Sequence, residues 1–90
     1  YYVAFGRRDQ DDGEFDATAA EVVAGLEWEL RRVPCRNPRA RRALEIGCGP
    51  GRLMKPMSRH FGEIHGVDVA DAMVAKARER LRGIPHAHAH

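Results

Sequence analysis

Apolar positions fall into blocks whose spacing changes along the chain. From Ala19 to Val33, the residues Ala19, Val22, Val23, Leu26, Leu30 and Val33 recur at three- and four-residue steps. That spacing builds one apolar stripe on a helix. Thr18-Ala19-Ala20-Glu21 has the capping-box form, in which the hydroxyl accepts from the Glu21 N–H and the glutamate reaches back. A helix is predicted from Thr18 to about Arg32 and is ended by Val33-Pro34, because a residue before proline avoids the α region. Trp28 lies off the stripe, against another part of the protein or on its surface. Ala43 to Ile46 is a short apolar run that suits a buried, central strand. Leu53, Met57 and Phe61 share one face of a helix over 53–61. Pro56 is cheap there only in a first turn, so this helix starts near Leu53 or kinks.

Gly62 is placed to close that helix as a left-handed C-cap. Glu63 to Val69 reads as a second strand, and Asp71 is placed to cap the helix after it. Met73, Val74, Ala77 and Leu81 point inward on that helix; Lys76, Arg78, Glu79, Arg80 and Arg82 point mostly outward. Gly83-Ile84-Pro85 makes a turn. His86-Ala87-His88-Ala89-His90 then alternates, so a strand would put all three imidazoles on one face.

The order helix, strand, helix, strand, helix, partial strand predicts parallel pairing with right-handed crossovers. The fold class is α/β: a Rossmann-like three-layer parallel sheet, truncated after the second or third strand. The far edge of the first strand is left unpaired, which predicts a partner half from the rest of the chain or from another copy.

Composition narrows the class. With 43% hydrophobic and 31% charged residues, the chain is too apolar for disorder and too broken for a membrane span. The net charge of +2 is too small to point to nucleic acid. Arginines crowd the segment from Arg31 to Arg42, but no aromatic residues interleave them, and a solvated basic loop is the expectation. Cys35 and Cys48 have neither metal spacing nor a disulfide framework, and we read a reduced, cytoplasmic compartment.

The chemistry concentrates in Glu45-Ile46-Gly47-Cys48-Gly49-Pro50-Gly51-Arg52. Strand, glycine-rich turn, helix is an order that usually brings backbone N–H groups up to a ligand. Glycine allows positive φ and close approach. A second strand ends in Asp68, seventeen residues after Gly51, where a carboxylate can accept both hydroxyls of a ribose. The dinucleotide fingerprint would need glycine at position 52; arginine stands there.

Together with G-V-D-V-A-D-A-M-V-A-K-A-R from Gly66 to Arg78, this stretch resembles the first half of a class I S-adenosylmethionine-dependent methyltransferase. The resemblance is close over 42–81 and loose over 15–33. It implies S-adenosylmethionine as cofactor, held by Glu45, Gly47, Cys48, Gly49, Gly51, Asp68, Val69 and Met73. The glycine loop would lie against the amino-acid end with Glu45 beneath it, Asp68 would hold the ribose, and Val69 would touch the adenine. On the residues alone, Met73 is more often core than ligand contact, and Cys48 is a small packing residue. The family has about seven strands, so this chain resembles the cofactor half, without the half that usually binds the acceptor. Residues 1–15 are then an N-terminal tail or an aromatic lid built on Tyr1, Tyr2 and Phe5, and 16–90 a partial cofactor-binding domain.

The function expected is methyl transfer to an unidentified acceptor, with no catalytic residue assignable and with the 90-residue chain alone inactive. The alternative is a non-catalytic nucleotide- or cofactor-binding module or an inactive fragment. A metal on His86, His88 and His90 is disfavoured because no carboxylate or cysteine joins them. His60 and His65 are expected to have no special role.

Overall fold

Four parallel strands lie side by side in the order in which the chain makes them. The computed structural model describes the backbone of residues 2–6 and 12–90 and the side chains of residues 19–90. The elements are β1 (Tyr2–Gly6), α1 (Asp12–Leu30), β2 (Arg42–Ile46), α2 (Met54–Met57), β3 (Glu63–Val67), α3 (Asp71–Arg80) and β4 (Ala87–Ala89). Ala43 lies opposite Ile64 and Glu45 opposite Gly66; Gly66 in turn lies opposite Ala89. Strand alternation therefore gathers Ala43, Glu45, Ile64, Gly66 and Ala89 on one face, and all of them are buried. The other face carries Leu44, Ile46, His65 and His88, which are half-buried to exposed.

The covered face meets one apolar cluster. Leu30 of α1, Met54 and Met57 of α2, Phe61, and Val74 and Ala77 of α3 join Ala43, Ile64, Leu81 and Ala89 in it. Each large side chain fully removed from water contributes about 1.5–3 kcal/mol, so Leu53, Met54, Met57 and Ile64, at 2% exposure or less, dominate. Gly66 makes the close packing possible. A Cβ there would run into the Met54 sulfur and lie 2.7 Å from Cys48 Cβ.

The Rossmann-like α/β class holds, and several local expectations change. The edge of β2 expected to be unpaired is taken by β1, in register from Tyr2 against Arg42 to Gly6 against Ile46; this satisfies one row of backbone groups. Whether the N-terminal aromatics form a lid or a tail depends on side chains outside the described residues. Helix α1 starts at Asp12, so Thr18 lies inside it and is not its cap. Val23, Leu26 and Val33 pack on the core as expected, but Val22 is exposed. Trp28 is on the surface, 63% exposed, with the Arg31 guanidinium 4.9 Å over its ring.

The helix after the loop is shorter than its apolar spacing suggests. Helix α2 ends at Met57 and continues as a 3-10 turn over Ser58–His60. Pro56 falls in its first turn, where a missing N–H costs no intrahelical bond. Gly62 is not a left-handed cap, since among the described residues the positive-φ glycines are Gly47, Gly49, Gly51 and Gly83. Glycine is needed at 62 because a Cβ would strike the Arg39 carbonyl. Asp71 is the first residue of α3, and the cap position belongs to Ala70. Arg41 departs from the solvated loop: it is buried and its Nε donates to the Cys35 carbonyl at 2.7 Å. Among the described residues, no helix is long and apolar enough to cross a membrane.

Candidate functional site

At the carboxyl ends of β2 and β3 the chain leaves the sheet twice, through the glycine loop and through Asp68. The loop turns by placing Gly47, Gly49 and Gly51 at φ of 73°, 55° and 79°, a region costly for residues with a Cβ. Alternate glycines are thus a requirement of the turn itself.

The turn directs its N–H groups inward. Gly47 N and Cys48 N both donate to the Val67 carbonyl, at 2.8 and 3.0 Å, and Gly51 N donates to the Cys48 carbonyl at 3.1 Å. Gly49 N donates to Asp68 Oδ2 at 2.9 Å. The expectation that this loop brings N–H groups up to a ligand is therefore corrected for these four positions. A phosphate cradle works by offering such donors to an anion; here three of them tie the loop to the end of β3 and the fourth closes the loop on itself.

Asp68 is the junction. Its Oδ2 accepts from Gly49 and its Oδ1 accepts from Ala70 N at 2.9 Å, while its own N–H donates to the His90 carbonyl at 3.1 Å. The carboxylate thus fixes the glycine loop and the start of α3 at once. A carboxylate oxygen can accept more than one hydrogen bond, so such a group suits hydroxyl donors as well as backbone N–H groups. Beside it is a recess lined by Ile46, Gly47, Val67, Asp68 and Val69. Ile46 is 57% exposed and Val69 fully exposed, so an apolar rim flanks a carboxylate. The chemistry suits a ligand that combines a flat apolar group with hydroxyls.

The other sequence-designated residues divide between the recess and the core. Glu45 is fully buried, at 0% exposure, on the covered face of its strand. Removing a carboxylate from water this completely is costly unless it is compensated. The Cys48 side chain is buried, stacked under Gly66, so only its backbone belongs to the turn. Gly51 sits against α3: a Cβ there would lie 3.3 Å from Ala77 Cβ. Met73 is half-buried in the first turns of α3. Ile46, absent from the sequence-based site, lines the recess; its signal was its position next to Gly47 at the strand's end.

A further recess at the amino ends of the strands is lined by Asn37, Pro38, Arg39, Ser58, Arg59, Phe61, Gly62 and His86. None of the motif residues reaches it, and open α/β sheets bind ligands at their carboxyl ends. His86 turns away from its neighbours and bonds the Ser58 carbonyl through Nε2 at 2.9 Å. Among the described residues, no group of three or more ligating side chains is arranged to hold a metal ion.

Comparison with known proteins converges on the same stretch. A family model described as a methyltransferase domain matches residues 43–90. The trans-aconitate 2-methyltransferase of Variovorax paradoxus is 43% identical over 54 residues, covering 58% of this chain and 20% of that protein. A dTDP-3-amino-3,4,6-trideoxy-alpha-D-glucopyranose N,N-dimethyltransferase of Streptomyces venezuelae is 30% identical over 69 residues, covering 77% and 27% respectively. Among solved structures, S-adenosylmethionine-bound CalS10, an amino pentose methyltransferase of Micromonospora echinaspora, superposes with a TM-score of 0.63 at 27% identity. That match covers 93% of this chain and 36% of the CalS10 chain. The chain therefore spans about a fifth of the first curated relatives' length and about a third of the solved neighbour.

Proposed function

The chain belongs to the class I S-adenosylmethionine-dependent methyltransferase domain family, and we propose that it is the cofactor-holding part of such an enzyme. The observation that carries this reading is the Asp68 junction, in which one carboxylate locks the glycine loop to the second strand beside an apolar-rimmed recess. Asp68 binds the ribose hydroxyls through its carboxylate oxygens. Ile46 and Val69 flank the adenine, with Met73 behind them. Gly47 and Gly49 let the amino-acid end lie close to the backbone, and Glu45 contributes negative charge beneath it. Cys48 and Gly51 serve the site by packing, as the burial of one and the contact of the other with α3 indicate.

These residues fit a cationic ligand better than a diphosphate. The loop N–H groups are engaged within the fold, and the carboxylate offers acceptors and negative charge. The cofactor supplies an activated sulfonium methyl. The acceptor's nucleophile forms its bond to that carbon as the carbon–sulfur bond breaks, and S-adenosylhomocysteine leaves. The residues described here position and orient; no proton-transfer role falls to any of them, and the reaction gains by alignment and water exclusion.

The acceptor is chosen elsewhere. The matched segment is shared by proteins named for acceptors as different as trans-aconitate and an aminosugar nucleotide, so this part carries what they have in common. The half-exposed sheet face with Leu44 and Ile46 supports completion by a further part of the protein or by a second copy. Cys35 and Cys48 as thiols, with no disulfide between them, support a reduced, cytoplasmic setting. Nucleic acid is not a partner on this reading, since Arg41 of the basic loop is committed to the Cys35 carbonyl.

Calorimetry of the purified chain with S-adenosylhomocysteine and with NAD tests the proposal. S-adenosylhomocysteine should bind and NAD should bind more weakly or not at all. Tighter binding of NAD would overturn the assignment. The chain alone should turn over no acceptor, because Val69 and Ile46 leave the recess open to water.

A further inference from the structure

The open face of the sheet carries a cluster that the cofactor site does not use. His65 of β3 stacks on His88 and His90, with ring centroids 5.1 and 5.2 Å away, and His88 and His90 are 6.4 Å apart. His65 Nδ1 lies 2.9 Å from His90 Nε2, and His65 Nε2 lies 2.9 Å from Glu63 Oε1. Arg42 on the neighbouring strand lies 3.6 Å from the other Glu63 oxygen. From the helical layer, Arg78 Nε donates to the Ala89 carbonyl at 3.1 Å. His86 is engaged with Ser58 and stands outside the cluster. The cluster straddles the join between β3 and β4. That join is held by Ile64 N to His86 O at 2.9 Å, His90 N to Gly66 O at 2.9 Å and Asp68 N to His90 O at 3.1 Å.

We propose that His65, His88 and His90 form a pH-sensitive latch that holds β4 on β3 at neutral pH and releases it in mild acid. The hydrogen-bond inventory gives the reason. An ionised Glu63 only accepts, so His65 Nε2 carries a hydrogen and Nδ1 accepts from His90 Nε2–H when both rings are neutral. One added proton is accommodated: His65 becomes an imidazolium between Glu63 and His90, whose Nε2 then accepts. A second proton sets N–H against N–H across the 2.9 Å contact, and a third adds another cation about one ring spacing away. Glu63 is held below the ordinary carboxylate range by the His65 hydrogen bond first and by nearby charges after it, so it stays ionised through the range in which imidazoles titrate. It offsets one positive charge, and Arg42 already shares it.

The sign follows from linkage. The docked form takes up the first proton, on His65, but released β4 frees the imidazoles to bind the second and third independently, so once His65 is charged the released form binds more protons than the docked one. Docking therefore weakens as pH falls, about tenfold per pH unit for each proton by which the two forms differ. The consequence reaches Asp68, whose backbone N–H is tied to the His90 carbonyl. The latch itself does not depend on which ligand Asp68 serves.

Hydrogen exchange on the full chain, without ligand, tests this. Protection of the Ile64, Asp68 and His90 amides should fall about tenfold or more from pH 7.5 to 5.5, relative to the Met57 amide of α2. The double variant His88→Gln/His90→Gln should abolish that pH dependence. Parallel behaviour of all four amides, or an unchanged pH dependence in the variant, would overturn the proposal.

Discussion

The two ends of the sheet are both built on glycine, for opposite reasons. At the amino end, Gly62 has no positive φ but no room either, because the Arg39 carbonyl fills the place of its Cβ. Its N–H donates to the Arg41 carbonyl at 2.9 Å, and Glu27 of α1 reaches Arg59 Nη2 and His60 Nε2, each at 2.6 Å. At the carboxyl end, the glycines are demanded by backbone direction, and a single side chain, Asp68, links loop, strand and helix. The amino end is closed by packing and can be judged by stability alone. The carboxyl end is closed by a carboxylate that also lines the candidate recess, so stability and ligand binding are coupled there.

The largest expected effect lies at the amino end. Gly62→Ala should destabilise the fold by about 3 kcal/mol, the upper part of the range for overpacking, because backbone has to move. The fraction still folded should bind S-adenosylhomocysteine normally. Denaturant melts with calorimetry check both, and a neutral Gly62→Ala would remove the contrast between the ends.

Asp68→Ala comes next and should show both losses together. Hydrogen bonds to a charged group contribute about 1.5–3 kcal/mol, so S-adenosylhomocysteine affinity should fall roughly ten- to a hundred-fold. Two backbone N–H groups also lose their acceptor, so stability should drop by about 1–2 kcal/mol. Wild-type affinity in a destabilised Asp68→Ala would make the residue purely structural. Gly49→Ala should be milder, with strain of about 1–2 kcal/mol from a Cβ at φ 55° and a matching loss of affinity. A stability change without an affinity change at this position would separate the loop from the ligand.

The smallest effect concerns pH. Glu27 is held below its ordinary value of 4.5 by the Arg59 hydrogen bond first, then by that of His60. Its contribution is fully present above that ordinary value and is lost as pH falls through the lower, folded-state value. Glu27→Gln should flatten the acid side of a plot of Tm against pH and leave ligand affinity at neutral pH unchanged. An identical acid limb in the variant would show that the contact carries no measurable stability, as many exposed ion pairs do not.

The elements that could be read from the sequence were those encoded over short distances. Strand, loop and acid at Glu45 to Asp68 follow from local pattern, because a turn with three alternate positive-φ residues tolerates little besides glycine. The inward core of α3 followed from its spacing in the same way. What could not be read depended on partners distant in sequence. The threonine at 18 has the form of a cap, yet the helix runs back to Asp12. Gly62 looks like a helix stop until Arg39 is placed beside it. The inward turn of the loop N–H groups onto Val67 and Asp68 is set by the approach of one strand to the next, which no local spacing records. Arg41 belongs to a run of arginines that reads as a solvated loop, and only the fold shows that it is buried.

The sequential order of the strands has a consequence for assembly. Each strand after β1 pairs with the one made before it, so β2, β3 and β4 each emerge with a partner already synthesised. Pairing between chain neighbours keeps loop closures short and their entropy cost low. The sheet can therefore grow in the direction of translation, with β2 already a template when β3 emerges and β3 ready before β4. Asp68 leaves the ribosome after its glycine loop, so the junction at the site closes as soon as the second of its two segments appears.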